Sequence, residues 1–385
     1  MSSSDLQAVA DRVLKAKVPE DVFGDLQGTT EERTRSIRQV YRRTMVLVHP
    51  DRFTSDDAAL AEECTKALGE WRAAAEAKVA AGTYGDRKAF VADPPPRPTM
   101  EPQVIKTSKG QYVVESLLAT GDLADIYRGS FTDKAGAKHA LAFKVVQSAA
   151  DNDLLEHESK VLATLYPATQ IEEKFYRFLP KIHDTFMLRG SKARTNRRVN
   201  VLPLYGDHVS LADVIKAYRG GVDFRDMVWM FKRILMVLGF VHRQGVVHGA
   251  VLPAHVLVHP IEHGAKLIGW PYAVQDPWPK DGRVKAMSTP CADFYAPEIL
   301  AKGMVSAHTD IFMAAQCAVA LLGGDVKARK IPDAVPVQIR RFLESCLFSA
   351  QFRRPDDAWA LLEEFDQMLE RLVGKPKYRP LAMPA

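Results

Sequence analysis

The tripeptide His49-Pro50-Asp51 sets an imidazole and a carboxylate on either side of a proline, directly behind a stretch that carries Arg35, Arg38, Arg42 and Arg43. Three residues of this kind recur by chance, so their meaning depends on the elements that hold them. Four histidines, His248, His255, His259 and His263, invite metal chemistry through imidazole nitrogen, but their spacing fits a loop and a strand end better than one ligand face, and no metal is expected. The cysteines are Cys64, Cys291, Cys317 and Cys346, with no CxxC pair and no metal-ligand spacing, which argues against a zinc site or a disulfide framework and fits a reducing compartment. The basic stretch from Arg189 to Arg198 reads as an exposed hairpin loop between two strands. It contains no aromatic residue on which a base could stack, so nucleic acid is not an expected partner.

The elements that position these groups follow from capping and periodicity. Thr29-Thr30-Glu31-Glu32 has the form of a capping box and predicts a helix to Val48. At 3.6 residues per turn Ile37, Val40, Tyr41, Thr44 and Val48 share one face, while Arg35, Arg38 and Arg42 form a basic stripe on another. A second box, Thr54-Ser55-Asp56-Asp57, opens a helix whose Leu60, Cys64, Leu68, Trp71 and Ala75 repeat at three-to-four-residue spacing. Two antiparallel helices would then present His49-Pro50-Asp51 in the loop between them. Leu6, Val9 and Val13 predict a further helix within residues 1–17. Asp93-Pro94-Pro95-Pro96-Arg97-Pro98 favours an extended linker, after which Val and Ile runs of strand length give way to helical patterns from about residue 210.

On these residues Val18 to Ala75 resembles a J domain, with a short first helix near Pro19 to Leu26, a basic second helix, the His-Pro-Asp loop and a third helix. The resemblance implies that His49, Pro50 and Asp51 trigger ATP hydrolysis in a DnaK-type heat-shock chaperone. It also implies that Arg35, Arg38, Arg42 and Arg43 dock on that partner's acidic surface, in a salt-sensitive way. The basic motif that usually follows the third helix is not evident around Ala77 to Gly85.

From about Gln111 to Leu369 the chain is similar to a protein kinase domain, landmark by landmark. Leu118 to Gly129 has the shape of a glycine-rich loop that keeps Gly121, with Ala119 and Ala124 where two glycines belong. Ala142-Phe143-Lys144 matches the lysine strand, and Glu158 matches the helix glutamate that pairs with the lysine. Val247 to Leu257 aligns with the catalytic loop, with Ala250 in place of the base aspartate, Leu252 in place of a lysine and His255 in place of the metal-binding asparagine. Gly269 stands where the magnesium-binding aspartate belongs. Ala296-Pro297-Glu298, Asp310 and Arg354-Pro355 are kept, and the resemblance implies a buried structural ion pair between Glu298 and Arg354. The stretch Gly324 to Pro336 is shorter than the family usually has there.

Phosphoryl transfer needs a carboxylate to orient the nucleophile and oxygen ligands for magnesium, and alanine and glycine supply neither, so the resemblance implies an inactive pseudokinase rather than an enzyme. Lys144 with Glu158 reads either as a remnant phosphate site or as an ion pair that fixes a helix, and the second is favoured. Weak, metal-free ATP binding at Gly121 and Lys144 stays open, and no cofactor is otherwise expected.

With 385 residues, 47% hydrophobic and 26% charged, the chain is long enough for two cores and sits in the globular range. The net charge of +5 gives little support for binding nucleic acid or membrane. The start Met1-Ser2-Ser3-Ser4-Asp5 lacks a secretory pattern, and the apolar run Ile311 to Leu322 falls short of a bilayer span, so a cytoplasmic location is expected. The expected fold is multidomain: an all-α J domain built on an antiparallel helical hairpin, then an α+β bilobal kinase-like fold. The divisions are an extra helix at 1–17, J domain at 18–90, linker at 91–104, small lobe at 105–205, large lobe at 206–374 and tail at 375–385. The function expected is a co-chaperone whose second domain binds a client protein. The alternatives are an atypical nucleotide-binding enzyme or ATP-gated switch, and a pure interaction protein.

Overall fold

Thr29 begins a helix because it and Glu32 satisfy each other's amides: Thr29 N donates to Glu32 Oε2 at 2.8 Å and Glu32 N to Thr29 Oγ1 at 3.3 Å. The computed structural model describes residues 3–48, 56–86, 102–107, 110–133, 136–171, 173–189, 195–277, 282–375 and 377–383. It divides into two units, Met1–Thr99 and Met100–Ala385.

The first unit contains α1 (Ser3–Leu14), α2 (Pro19–Phe23), α3 (Thr30–Val48) and α4 (Asp56–Ala80). Near one end of the α3–α4 contact Thr65 Oγ1 donates to Val48 O at 3.2 Å, and toward the other Arg38 Nε meets Glu76 Oε1 at 3.1 Å, so the two helices run antiparallel. Ile37 and Val48 from α3 and Cys64, Leu68 and Ala75 from α4 are fully buried, the faces that the helical period selects. Helix α1 belongs to the same core. Its Leu6, Ala10 and Val13 are buried against α4, and Trp71 Nε1 donates to Val13 O at 2.9 Å, supplying a partner for a carbonyl in the last turn of α1.

Among the described residues, two charges lie inside this unit. Lys78 Nζ sits 2.5 Å from Glu20 Oε1, with side-chain exposures of 2% and 0%. Gly85 N also donates to Glu20 Oε1 at 2.8 Å, and Lys78 donates to Asp86 O. Burial acts to raise the Glu20 carboxyl, and the bonds from Lys78 and the Gly85 amide overcome it, so the group is held below its ordinary value. The pair ties α2 to the last turns of α4, and the Gly85 and Asp86 bonds add the chain that follows it.

The second unit is α+β. Its strands and helices run β1 (Gln103–Lys106), β2 (Gln111–Thr120), β3 (Ala124–Thr132), β4 (Lys138–Val146), α5 (Asn152–Ile171), β5 (Asp184–Leu188) and β6 (Arg197–Pro203). They continue with β7 (Val209–Ser210), α6 (Leu211–Ala217), α7 (Phe224–Arg243), β8 (Val246–Val247), β9 (Val256–Val258), β10 (Ala265–Leu267) and β11 (Val274–Gln275). Helices α8 (Pro297–Leu300), α9 (Ala307–Leu321), α10 (Val337–Cys346) and α11 (Ala358–Val373) complete it. The first six strands form a curled sheet in the order β1-β2-β3-β4-β6-β5, antiparallel throughout. Register shifts after Val114 and Leu117 mark bulges that increase the local twist. Strand β1 starts inside the span expected as linker, because Gln103 to Lys106 pair with β2.

Helix α9 carries the long apolar run. Every residue from Thr309 to Leu321 is buried, which is the environment an all-round apolar helix requires. Arg354 and Glu298 form a two-pronged pair at 2.8 and 3.0 Å, and Thr309 Oγ1 adds a bond to Glu298 at 2.8 Å. With the Arg354 side chain fully buried, losing one partner would leave an uncompensated charge at a cost of about 3 to 5 kcal/mol. No helix among the described residues is long and apolar enough to cross a membrane.

Candidate functional site

Helix α3 turns Arg35, Arg38 and Arg43 outward. Arg35 and Arg38 are mostly exposed and already paired, Arg35 with Glu31 at 3.2 Å and Arg38 with Glu76 at 3.1 Å. Arg43 is exposed as well, and of Arg42 only the backbone within α3 is described. His49, Pro50 and Asp51, which follow the end of α3, lie outside the described residues, as does the whole of the proline segment Asp93 to Pro98.

In the second unit the sheet and α5 meet around one carboxylate. Glu158, from α5, accepts Lys144 Nζ at 2.7 Å and the Trp270 amide at 3.2 Å on Oε1, and Asn200 Nδ2 at 3.0 Å on Oε2. Both oxygens are therefore occupied. Asn200 is fully buried in β6 and also donates to Leu155 O at 2.9 Å, and His157 Nε2 donates to Ala273 O at 2.6 Å. Helix α5 is thus held to the sheet through Lys144 and Asn200 and to the Trp270–Tyr272 turn through Glu158 and His157. Asn200 escaped the sequence reading, although a polar residue centred in Val199-Asn200-Val201 is a signal of a buried bond.

Ala250, His255 and Gly269 come together beside this pair. His255 Nδ1 donates to Ala250 O at 2.8 Å, and its main chain accepts the Ile268 amide at 2.8 Å. Gly269 adopts left-handed backbone, φ 82 and ψ 50, and a Cβ there would lie 2.6 Å from His255 Cγ. The imidazole fills the space a side chain at 269 would need. Burial pushes His255 down to about 4, with the Lys144 charge adding to it, and pushes His248 down to about 3. His248 Nε2 donates to Ile268 O at 3.0 Å while its Nδ1 accepts the Ala250 amide at 3.3 Å, a pattern only the neutral ring can make. Beneath them the buried Asp310 accepts the His248 amide at 2.7 Å, the Gly249 amide at 2.8 Å and His242 Nε2 at 2.9 Å.

Gly121 sits in the turn between β2 and β3. Its amide bonds Ala124 O at 3.0 Å, closing a tight turn, and Leu123 packs on Ala124, Val146 and Leu155. The next residue, Asp122, accepts a hydrogen bond from Ser288 Oγ. That bond ties the β2–β3 turn to the segment that holds Ser288 and sets a carboxylate where it acts on the His255 ring, and no local sequence signal announced it.

A scan against protein-family models and a search of curated proteins matched nothing to this chain.

The remaining histidines are engaged structurally. His263 lies flat on Trp229, ring centroids 4.0 Å apart, and its Nε2 donates to Arg379 O at 2.8 Å, while His259 Nδ1 accepts the Ile261 and Glu262 amides. Among the described residues no group of three His, Cys, Asp or Glu could hold a metal ion. Of the basic stretch from Arg189 to Arg198, residues 190–194 lie outside the described residues. The ends pair as a hairpin, Leu188 with Arg197, and Arg198 meets Glu156 at 3.4 Å.

Proposed function

We propose that this chain is a J-domain co-chaperone that stimulates the ATPase of a DnaK-type heat-shock chaperone, with an inactive kinase-like module that binds a client protein and so directs where the chaperone acts. The observation that carries the first half is the antiparallel α3–α4 pair, with arginines exposed on α3 and His49-Pro50-Asp51 in the segment that connects the helices. Arg35 and Arg38 form exposed pairs that cost little to exchange for a partner's carboxylates. Single-turnover ATP hydrolysis by the chaperone, with and without His49→Gln, tests it.

The second half is supported by which groups are kept. Lys144–Glu158, Glu298–Arg354 and Asp310 hold helices and loops in place, while Ala250, His255 and Gly269 offer neither a base nor a magnesium ligand set. A neutral imidazole packed on Gly269 leaves no carboxylate where a cation would be held. The retained Lys144 favours one second reading, a nucleotide-gated switch in which ATP binds without metal. Lys144 is committed to Glu158, so phosphate groups gain little there.

A further inference from the structure

Gly374, in left-handed backbone at φ 75, ends α11, and residues 377–383 then run as a strap with neither helix nor strand. The strap lies on α7 and on the turn between β9 and β10. Leu381 N donates to Pro260 O at 2.9 Å, His263 Nε2 donates to Arg379 O at 2.8 Å, and the Tyr218 hydroxyl donates to Ala382 O. Two of its side chains define what the groove accepts. Arg379 meets two carboxylates, Nη1 3.3 Å from Asp223 Oδ2 and Nε 3.2 Å from Asp226 Oδ1, and two residues on Leu381 enters the core at 4% exposure.

The fit is incomplete at its charged end. Asp226 is 6% exposed, yet its Oδ1 receives no hydrogen bond among the described residues, because the Arg379 Nε–H lies close to it without pointing at it. Burial raises the Asp226 carboxyl above its ordinary value, and the Arg379 charge offsets only part of that. Trp229, one turn along the same face of α7 and stacked on His263, has a buried Nε1 with no acceptor. A buried acceptor and a buried donor beside one segment are both left unmet, which a well-matched ligand would not do. The strap is also lightly held. Tyr378 is 66% exposed, the Arg379 pairs reach solvent, where ion pairs contribute little, and Leu381 is the one buried residue of 377–383.

We propose that this groove binds a partner polypeptide through an arginine set on Asp223 and Asp226 and a leucine two positions on, and that Arg379-Pro380-Leu381 is its internal competitor. The proposal rests on reading the second unit as a partner-binding module and gives that module a recognition chemistry. Arginine suits the two carboxylates better than lysine because its planar fork bonds both at once.

The test uses the full chain and a fluorescent peptide of residues 377–383, beside the same peptide with citrulline, the neutral isostere, in place of arginine. Binding is followed by anisotropy in the parent and in a released-strap variant, Arg379→Ala with Leu381→Asp. The released-strap variant is expected to bind the peptide about tenfold more tightly than the parent, whose strap competes at high effective concentration. Citrulline in the peptide, or Asp226→Asn added to the variant, should each cost about tenfold. Equal binding by parent and variant, or equal binding of both peptides, overturns the proposal. A released-strap variant that no longer folds overturns it too, since the strap would then be part of the core. A parent that sediments as a dimer, made monomeric by the two substitutions, would make a second copy the occupant and overturn the assignment to a partner. The substitutions leave the first unit's sequence unchanged, so chaperone ATPase stimulation measured on the same samples separates failure of this site from failure of the co-chaperone reading.

Discussion

A Cβ on Gly269 would stand 2.6 Å from Cγ of His255, so the residue that replaces a metal-binding asparagine in the kinase resemblance also determines what position 269 can be. The two losses are coupled by volume. Gly269→Asp, which restores the carboxylate the resemblance expects, is predicted to lower the melting temperature, with overpacking costing about 1 to 3 kcal/mol and the positive φ adding strain. His255→Asn in the same chain should recover part of the loss. Gly269→Asp melting like the parent would show that the contact is not binding.

Nucleotide should not stabilise the protein. A ligand that binds only the folded state raises its melting temperature by an amount that grows with the logarithm of its concentration over Kd, and Lys144 is already bonded to Glu158 while Asp122 closes on Ser288. Thermal melting with millimolar ATP, with and without magnesium, is expected to show no shift. A rise without magnesium would favour the switch over the adaptor.

Acid should weaken the second unit through its buried imidazoles. His248 and His255 have folded values of about 3 and about 4 against an ordinary 6.5. The unfolded chain takes up these protons first as pH falls, so their contribution is whole above about pH 6.5 and is lost progressively toward pH 4. Melting followed across that window is expected to fall, and less steeply in His255→Asn. A flat profile would mean that the rings are not shielded.

Removing Lys78 should invert the acid response of the first unit. In the parent, Glu20 is held below its ordinary 4.5, so its contribution is present above that pH and lost as pH falls through the folded value. In Lys78→Met the carboxylate is buried without its cation, burial raises its value, and the unit should gain stability on acidification after losing about 3 to 5 kcal/mol at neutral pH. Hydrogen exchange of α4 amides in the full chain reads both effects. Exchange rates in Lys78→Met that match the parent at neutral pH would remove the pair from the account.

These residues mark how far the sequence could be read. The capping box at Thr29, the apolar period through Ile37 and Val48, and the Leu188–Arg197 hairpin were legible because each is set by neighbours within a turn or a strand. Lys144 with Glu158 was legible only through ordered landmarks. Glu20 with Lys78, Asn200 with Glu158 and Asp122 with Ser288 were not, since each joins segments far apart in the chain and leaves no period to follow. Helix α1 was expected as an addition, yet its Leu6 and Val13 are part of the core; a helix pattern gives the buried face without naming what covers it.

The most direct measurement is single-turnover ATP hydrolysis by a DnaK-type chaperone from the same host, mixed with this protein or with its His49→Gln variant. The account predicts that the parent accelerates hydrolysis, that the variant does not, and that added salt weakens the acceleration as the α3 arginines are screened. Folded parent protein that leaves the rate of an active chaperone unchanged would contradict it.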